Sequence, residues 1–155
     1  MGGMIGRVNQ MIYDASAEDR YATLFYGQYD PATHLLTYVN AGHNAPMLFR
    51  QASKAVERLD EGGGPVVGLM PDCAYQQAEV ALHSGDILLI YTDGFSEAMN
   101  PRLEEWGEKR LMAAASASLA LGAEEMIAAI MRAADAYAAG APQSDDMTLV
   151  VMRVL

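Results

Sequence analysis

Among its 155 residues the chain has one cysteine, Cys73. A lone thiol excludes an internal disulfide, a thiolate zinc cluster and a Cys-x-x-Cys redox pair, which leaves Cys73 as a bystander near a loop. Basic residues are scarce as well: ten Lys and Arg stand against twenty Asp and Glu, a formal charge of −10. That sign argues against a broad face for nucleic acid or an anionic bilayer. A surplus of carboxylates suits divalent cations better, although it also serves solubility. No apolar run is long enough to span a bilayer, and Met1-Gly2-Gly3-Met4 lacks the basic segment and apolar stretch of a secretion signal. The chain therefore reads as cytoplasmic, with no membrane insertion. What it does have is a 52% hydrophobic and 19% charged composition. That is enough to bury a core, and the length fits one domain.

Met1, Met4, Ile5, Val8, Met11 and Ile12 fall at helical spacing, with Arg7, Asn9 and Gln10 off the stripe. This predicts a helix whose methionines pack into a core; a methionine-rich partner groove is the other reading. Tyr21 to Tyr29, the turn Asp30 to Thr33 and Leu35 to Val39 predict a hairpin. Pro46 to Phe49 and Ala55 to Leu59 make a second, weaker pair. Gly62-Gly63-Gly64 resembles a phosphate cradle, but no Gly-Lys-Ser/Thr follows and no helix opens there, so it reads as a turn. Tyr75 to Leu82, the turn at His83 to Asp86 and the apolar run Ile87 to Tyr91 predict another hairpin, its second strand central and buried on both faces. Trp106 to Ser118 and Ala123 to Ala139 read as helices split at Gly122, the second stopped by Gly140-Ala141-Pro142. Met147 to Val154 reads as a last buried strand. The order implies an α+β plan with helices stacked on sheet.

Chemistry concentrates at the ends of the two most apolar strands. Thr92-Asp93-Gly94 closes one and Ser144-Asp145-Asp146 opens the other. If those strands are antiparallel neighbours, Asp93 and Asp145 meet across a sheet edge. Convergent carboxylates repel unless a divalent cation joins them, and oxygen ligands without nearby Cys or His favour Mg²⁺ or Mn²⁺ over zinc. Such a metal lowers the pKa of a bound water and aims it at phosphorus. Gly94 then lets the chain turn sharply after the ligand. The bland reading is ordinary loop chemistry, Asp-Gly and Ser-Asp-Asp being common turn residues. A haloacid-dehalogenase-like Asp-x-Asp-Gly-Thr loop fails, because position 91 is Tyr where the nucleophilic aspartate belongs. His43, in Asn40-Ala41-Gly42-His43-Asn44, is a structural turn residue or a general acid. His34 and His83 read as solvent-facing, and Tyr91 and Trp106 as core residues.

Taken in order, several blocks resemble one family: Tyr38-Val39-Asn40-Ala41-Gly42-His43-Asn44, Gly63-Gly64-Pro65 with Gly68-Leu69, Gly85 to Ala98, Trp106 to Leu111 and Asp145-Asp146-Met147-Thr148. They are similar to the SpoIIE/RsbU branch of the PPM-type, metal-dependent protein serine/threonine phosphatases, from about Met4 to Val154. The resemblance implies an α-β-β-α sandwich of antiparallel sheets flanked by helices. It also implies hydrolysis of phosphoserine or phosphothreonine on a protein, typically an anti-sigma-factor antagonist in bacterial partner switching, by water between two Mn²⁺ or Mg²⁺ ions. No side chain beyond that water is implied as catalytic. By position Asp93 and Asp145 match metal ligands, Asp146 is a lesser candidate, and Gly94 and His43 lie beside the site. The family's Gly-Asp strand and Asp-x-x-Gly-x-Gly loop, which supply the aspartate shared by both metals, do not occur here. The expectation is a single domain over 1–155, N-terminally shortened relative to the family. It would hold metal weakly and offer an open sheet edge to pairing or homodimer contact.

Overall fold

The N-terminal stripe does lie on a helix, Gly2–Ala15, in the computed structural model of the chain, which describes residues 1–16 and 20–155. The elements in order are α1 (Gly2–Ala15), β1 (Leu24–Asp30), β2 (Leu35–Ala41), β3 (Met47–Phe49), β4 (Val56–Arg58), β5 (Ala78–Ala81), β6 (Ile87–Tyr91), α2 (Asp93–Ser96), α3 (Gly107–Ala117), α4 (Ala123–Ala138) and β7 (Leu149–Arg153). They divide between two compact units, one of Met1–Ala45 with Leu59–His83, the other of Pro46–Arg58 with Ser84–Leu155. No helix among the described residues is long and apolar enough to cross a membrane.

In the first unit α1 accompanies a three-stranded antiparallel sheet of order β1-β2-β5. The β1–β2 hairpin runs in register from Leu24↔Ala41 to Asp30↔Leu35. Its turn is fixed by Asp30, whose carboxylate accepts the Ala32 N–H at 2.8 Å and the Thr33 hydroxyl at 3.0 Å. Both hydrogen bonds favour the ionised form and hold the Asp30 carboxyl below its ordinary value. Ile5, Val39, Ala41, Val67 and Tyr75 form the apolar core of this unit.

The helix is present and runs on to Ala15, but its buried stripe differs from the expected one. Met11 is 71% exposed, whereas Asn9 is fully buried. Asn9 is paid for by hydrogen bonding: its Oδ1 accepts the Gly68 N–H at 2.8 Å and the Tyr75 hydroxyl at 3.2 Å, and its Nδ2 donates to the Met70 carbonyl at 2.9 Å. Hydrophobic periodicity is blind to a buried amide that satisfies an irregular segment's backbone. The Gly62–Gly64 segment also does more than turn. A Cβ at Gly63 would lie 2.1 Å from the Asn40 carbonyl oxygen, so only glycine lets the two backbones approach.

In the second unit the sheet order is β4-β3-β6-β7, all antiparallel, with β6 flanked on both sides as its apolar sequence demands. Ile87, Leu89 and Tyr91 share one face by the two-residue period of a strand. With Met47 and Phe49 they join Leu111 of α3 and Met126 and Ile130 of α4 in one cluster. Helix α4 ends where Ala139 takes a left-handed conformation at φ 47° and Gly140 follows at φ 85°.

Two expectations about strands are corrected. The segments Tyr75 to Leu82 and Ile87 to Tyr91 are not a hairpin: β5 pairs with β2, and β6 pairs with β3 and β7. The intervening turn is anchored elsewhere, because buried Asp86 accepts from Arg50 Nη1 and from the Gln51 N–H, each at 2.9 Å. The last strand is an edge rather than a buried strand, with Val150 49% exposed; among the described residues β6 is its one strand neighbour. The four-residue helix α2 directly after β6 was not anticipated.

Replacing Asn9 by Ala leaves the Gly68 N–H and the Met70 carbonyl unpaired inside the fold. We expect a loss of about 2–4 kcal/mol in urea unfolding, against a change within about 0.5 kcal/mol for Met11→Ala. Equal losses would contradict the exchange of buried positions on α1.

Candidate functional site

The candidate site forms where β6 stops and β7 starts. Tyr91 pairs with Leu149, so the loop leading into β7 arrives beside the residues leaving β6. Thr92 fastens the two segments. Its N–H donates to the Thr148 carbonyl at 3.1 Å, its hydroxyl donates to the Asp146 carbonyl at 2.9 Å, and that hydroxyl accepts the Thr148 N–H at 2.9 Å. Sequence reasoning assigned Thr92 no role; the available signal was a hydroxyl residue at the end of an apolar strand, immediately before the aspartate.

Asp93 opens α2, and its carbonyl accepts the Ser96 hydroxyl at 3.1 Å and the Glu97 N–H at 2.8 Å. This fixes the backbone that carries the carboxylate. Gly94 is buried against the other segment: an added Cβ would stand 2.5 Å from the Asp146 carbonyl oxygen and 3.2 Å from that of Asp145. Gly94 is not among the glycines of positive φ. Close approach of the Asp145–Asp146 backbone, rather than a sharp turn, therefore requires glycine here.

The structure thus brings Asp93 and the Asp145–Asp146 pair to one exposed edge. Asp145 Oδ1 accepts the Asp146 N–H at 2.7 Å, and Gln143 Nε2 donates to the Asp145 carbonyl at 2.7 Å. Among the described residues none of the three carboxylates is in an ion pair. Their oxygen chemistry is of the kind that suits a hard divalent cation. The fit is one of donor type, because no group of three or more His, Cys, Asp or Glu is gathered for a metal among the described residues.

His43 belongs to the first unit. Asn40 brackets its backbone, Oδ1 accepting the His43 N–H at 2.8 Å and Nδ2 donating to the His43 carbonyl at 2.9 Å, while the ring Nδ1 shares a 3.2 Å hydrogen bond with the Thr23 hydroxyl. These contacts give His43 a place in a built turn. His34 and His83 are exposed, and Tyr91 and Trp106 are buried.

Tyr91 secures the end of β6 from the core side. Its hydroxyl donates to Glu108 Oε1 at 2.5 Å, and Glu108 is also held by the Arg58 guanidinium. Burial, reinforced by Glu108, pushes the Tyr91 hydroxyl far above its ordinary range. Arg58 is the main reason the Glu108 carboxyl titrates below its ordinary value, with Tyr91 adding to the shift and burial opposing it.

Residues 1–155 match the family described as Stage II sporulation protein E (SpoIIE). Protein IcfG of Synechocystis sp. is 30% identical over 132 residues, 85% of this chain and 20% of that protein. Phosphoserine phosphatase RsbU of Bacillus subtilis is 32% identical over 93 residues, 60% of this chain and 27% of that protein. The chain therefore spans about a fifth to a quarter of the length of these relatives. Among solved structures, the SiaA-PP2C domain of Pseudomonas aeruginosa matches with a TM-score of 0.78 at 20% identity, covering 98% of this chain and 60% of that one. The manganese-presoaked phosphatase domain of SpoIIE from Bacillus subtilis matches with a TM-score of 0.62 at 17% identity, covering 99% and 74%. These likenesses show the fold, an α+β phosphatase fold with two antiparallel sheets and helices.

Two predictions come from the site. Gly94→Ala forces the Asp145–Asp146 backbone away from α2. It should cost about 1–3 kcal/mol in unfolding free energy, with amide shift changes concentrated at residues 92–97 and 144–148; unchanged shifts in the second segment would contradict the close approach. For Glu108 the carboxyl pKa is depressed on folding, so its contribution is complete above the ordinary value of 4.5 and fades as pH falls through the folded value. Glu108→Gln should therefore be less stable than wild type at pH 7, by no more than about 1 kcal/mol for a half-exposed pair. The two stabilities should converge as the pH is lowered below 4.5.

Proposed function

The chain belongs to the SpoIIE family, the SpoIIE/RsbU branch of PP2C-type serine/threonine phosphatases, and from that premise we propose that it hydrolyses phosphoserine or phosphothreonine on a signalling protein. The observation that carries this reading is the meeting of Asp93 with the Asp145–Asp146 loop, held by Thr92 and by the close approach at Gly94. Asp93 and Asp145 would hold Mn²⁺ or Mg²⁺, with Asp146 as a lesser donor. When bound, the metal supplies Lewis acidity toward the phosphoryl oxygens and an activated water. The chain's own residues set the geometry: Thr92 fixes the distance between the two carboxylate-bearing segments, and α2 fixes the Asp93 backbone. By the family resemblance the substrate is a phosphorylated anti-sigma-factor antagonist in a bacterial cytoplasm.

One observation favours a second reading, a docking module of phosphatase fold without turnover. Among the described residues no three acidic, histidine or cysteine side chains are gathered closely enough to hold a metal, Asp93, Asp145 and Asp146 included. A site of two carboxylates leaves most of the cation's coordination to water and binds it weakly.

The purified chain is to be assayed with p-nitrophenyl phosphate over a Mn²⁺ titration, alongside calorimetry of Mn²⁺ binding. We expect metal-dependent turnover that falls by about tenfold or more in Asp93→Asn and in Asp145→Asn. Turnover indistinguishable from blank, together with no saturable binding that depends on these residues, would assign the chain to the docking reading.

A further inference from the structure

Leu103 is unusual twice over. Its side chain is 79% exposed, and its backbone is left-handed at φ 60°. A bulky residue in this region is strained, and glycine is the ordinary occupant. The loop nevertheless holds the conformation firmly. Buried Asn100 accepts the Arg102 N–H at 2.8 Å and the Glu104 N–H at 3.1 Å on one oxygen, while its amide donates to the Glu104 carboxylate at 2.8 Å. The Leu103 N–H donates to the Asn100 carbonyl at 2.9 Å. From α4, the Tyr137 hydroxyl bonds the Glu104 and Glu105 carbonyls at 3.2 and 3.0 Å. A leucine fixed in solvent by this many bonds is displayed by the loop.

It is displayed beside a cleft. A volume of about 460 Å³, mostly apolar in lining, lies between Leu103 and the segment that follows α4. A second volume of about 170 Å³ shares Met99, Ala141, Pro142 and Ser144 with it and extends to Gly94. The smaller volume thus reaches the chain neighbours of both acidic segments, Gly94 next to Asp93 and Ser144 next to Asp145. Among the described residues no Lys, Arg or His lines either volume, and Asp135 lines the smaller. The cleft is thus unfit for a phosphate group and fit for an apolar side chain.

We propose that this cleft, with Leu103 at its outer end, receives an apolar side chain of the phosphorylated protein, close in sequence to the phosphorylated residue. The proposal rests on the phosphatase reading for the placement of the phosphate at the cation that Asp93 and Asp145 would hold. It adds the feature by which the site chooses among phosphoproteins: affinity for the phosphate is common to all of them, whereas burial of a neighbouring leucine-sized group discriminates. The strain at Leu103 is the expected signature of a residue kept for contact rather than for stability.

The test measures peptide binding to the full chain by fluorescence anisotropy in the presence of Mn²⁺. The probes are phosphoserine peptides in a glycine–serine background, each with one leucine placed up to four positions before or after the phosphoserine, together with the leucine-free peptide. At least one leucine position should tighten binding by about tenfold or more, as burial of such a side chain predicts. Leu103→Asp should remove that gain while leaving the leucine-free peptide's affinity in place. Leu103→Gly, which relieves the strained backbone, should also lose the gain while melting no lower than wild type.

Equal affinity for all peptides, or a gain that survives both variants, would overturn the proposal. So would a concentration-dependent dimer dissociated by Leu103→Asp in the absence of leucine-dependent binding, which would give the cleft to a second copy. Leucine-dependent binding without any turnover of p-nitrophenyl phosphate would retain the cleft and refute the catalytic reading instead.

Discussion

The antiparallel pairing of β6 with β7 is the constraint on which the second unit turns. It joins residues more than fifty positions apart and places the exit of one strand at the entrance of the other. The Thr92 hydroxyl continues the ladder one step past the strands, taking the Thr148 N–H and giving its own proton to Asp146. Because that hydroxyl both accepts and donates, it fixes two points of the incoming loop. With no side chain at Gly94, the same loop can lie against the first turn of α2. The juxtaposition of Asp93 with Asp145 and Asp146 is thus a consequence of main-chain pairing, and it does not require the acidic side chains to attract one another.

Ionisable groups elsewhere in this unit behave differently. Arg50 bonds Glu57 and buried Asp86, and Arg58 bonds Glu108, which in turn accepts from Tyr91. In these places an acidic residue comes with its cation and its carboxyl is drawn toward the charged form, as the lowered values of Glu57 and Glu108 show. Asp93, Asp145 and Asp146 have no such cation within the described chain. The distinction separates carboxylates that hold this unit together from those outside its ion pairs, the group from which the proposed metal holders come. An acidic surplus in composition does not by itself reveal that division.

What could be read in advance followed from regular periodicity and from residues with a narrow range of conformations. The run Ile87 to Tyr91 marked a central strand because no other arrangement buries five consecutive apolar or aromatic residues. Met126, Ile130 and Ala134 marked the inner face of α4, and Gly140 with Pro142 marked its end. Expectations failed where polar groups decided the packing. Asn9 is buried because the irregular segment around Gly68 to Tyr75 needs its amide, and a hydropathy pattern counts it as solvent-facing. Strands β5 and β6 look like a hairpin on alternation alone, yet Asp86 ties the turn to Arg50 and Gln51, and pairing follows the tie. Of the site, the two acidic segments were legible through their position at strand ends; Thr92 was not, since a threonine there has many ordinary uses.

Gly94 and Leu103 invert each other, and the pair indicates how this edge divides its tasks. At Gly94 the backbone is unstrained and the side chain is absent, because a neighbouring main chain occupies the space. At Leu103 the backbone is in the region natural to glycine, yet a large apolar side chain is kept and turned to solvent. Local stability explains the first choice fully and works against the second, since a glycine at 103 would satisfy the same loop hydrogen bonds through its backbone with less strain. The loop bonds from Asn100 and Tyr137 hold the strained conformation in place. They fix the direction in which Leu103 points, and that fixed direction is what the proposed docking of an apolar group from outside would use.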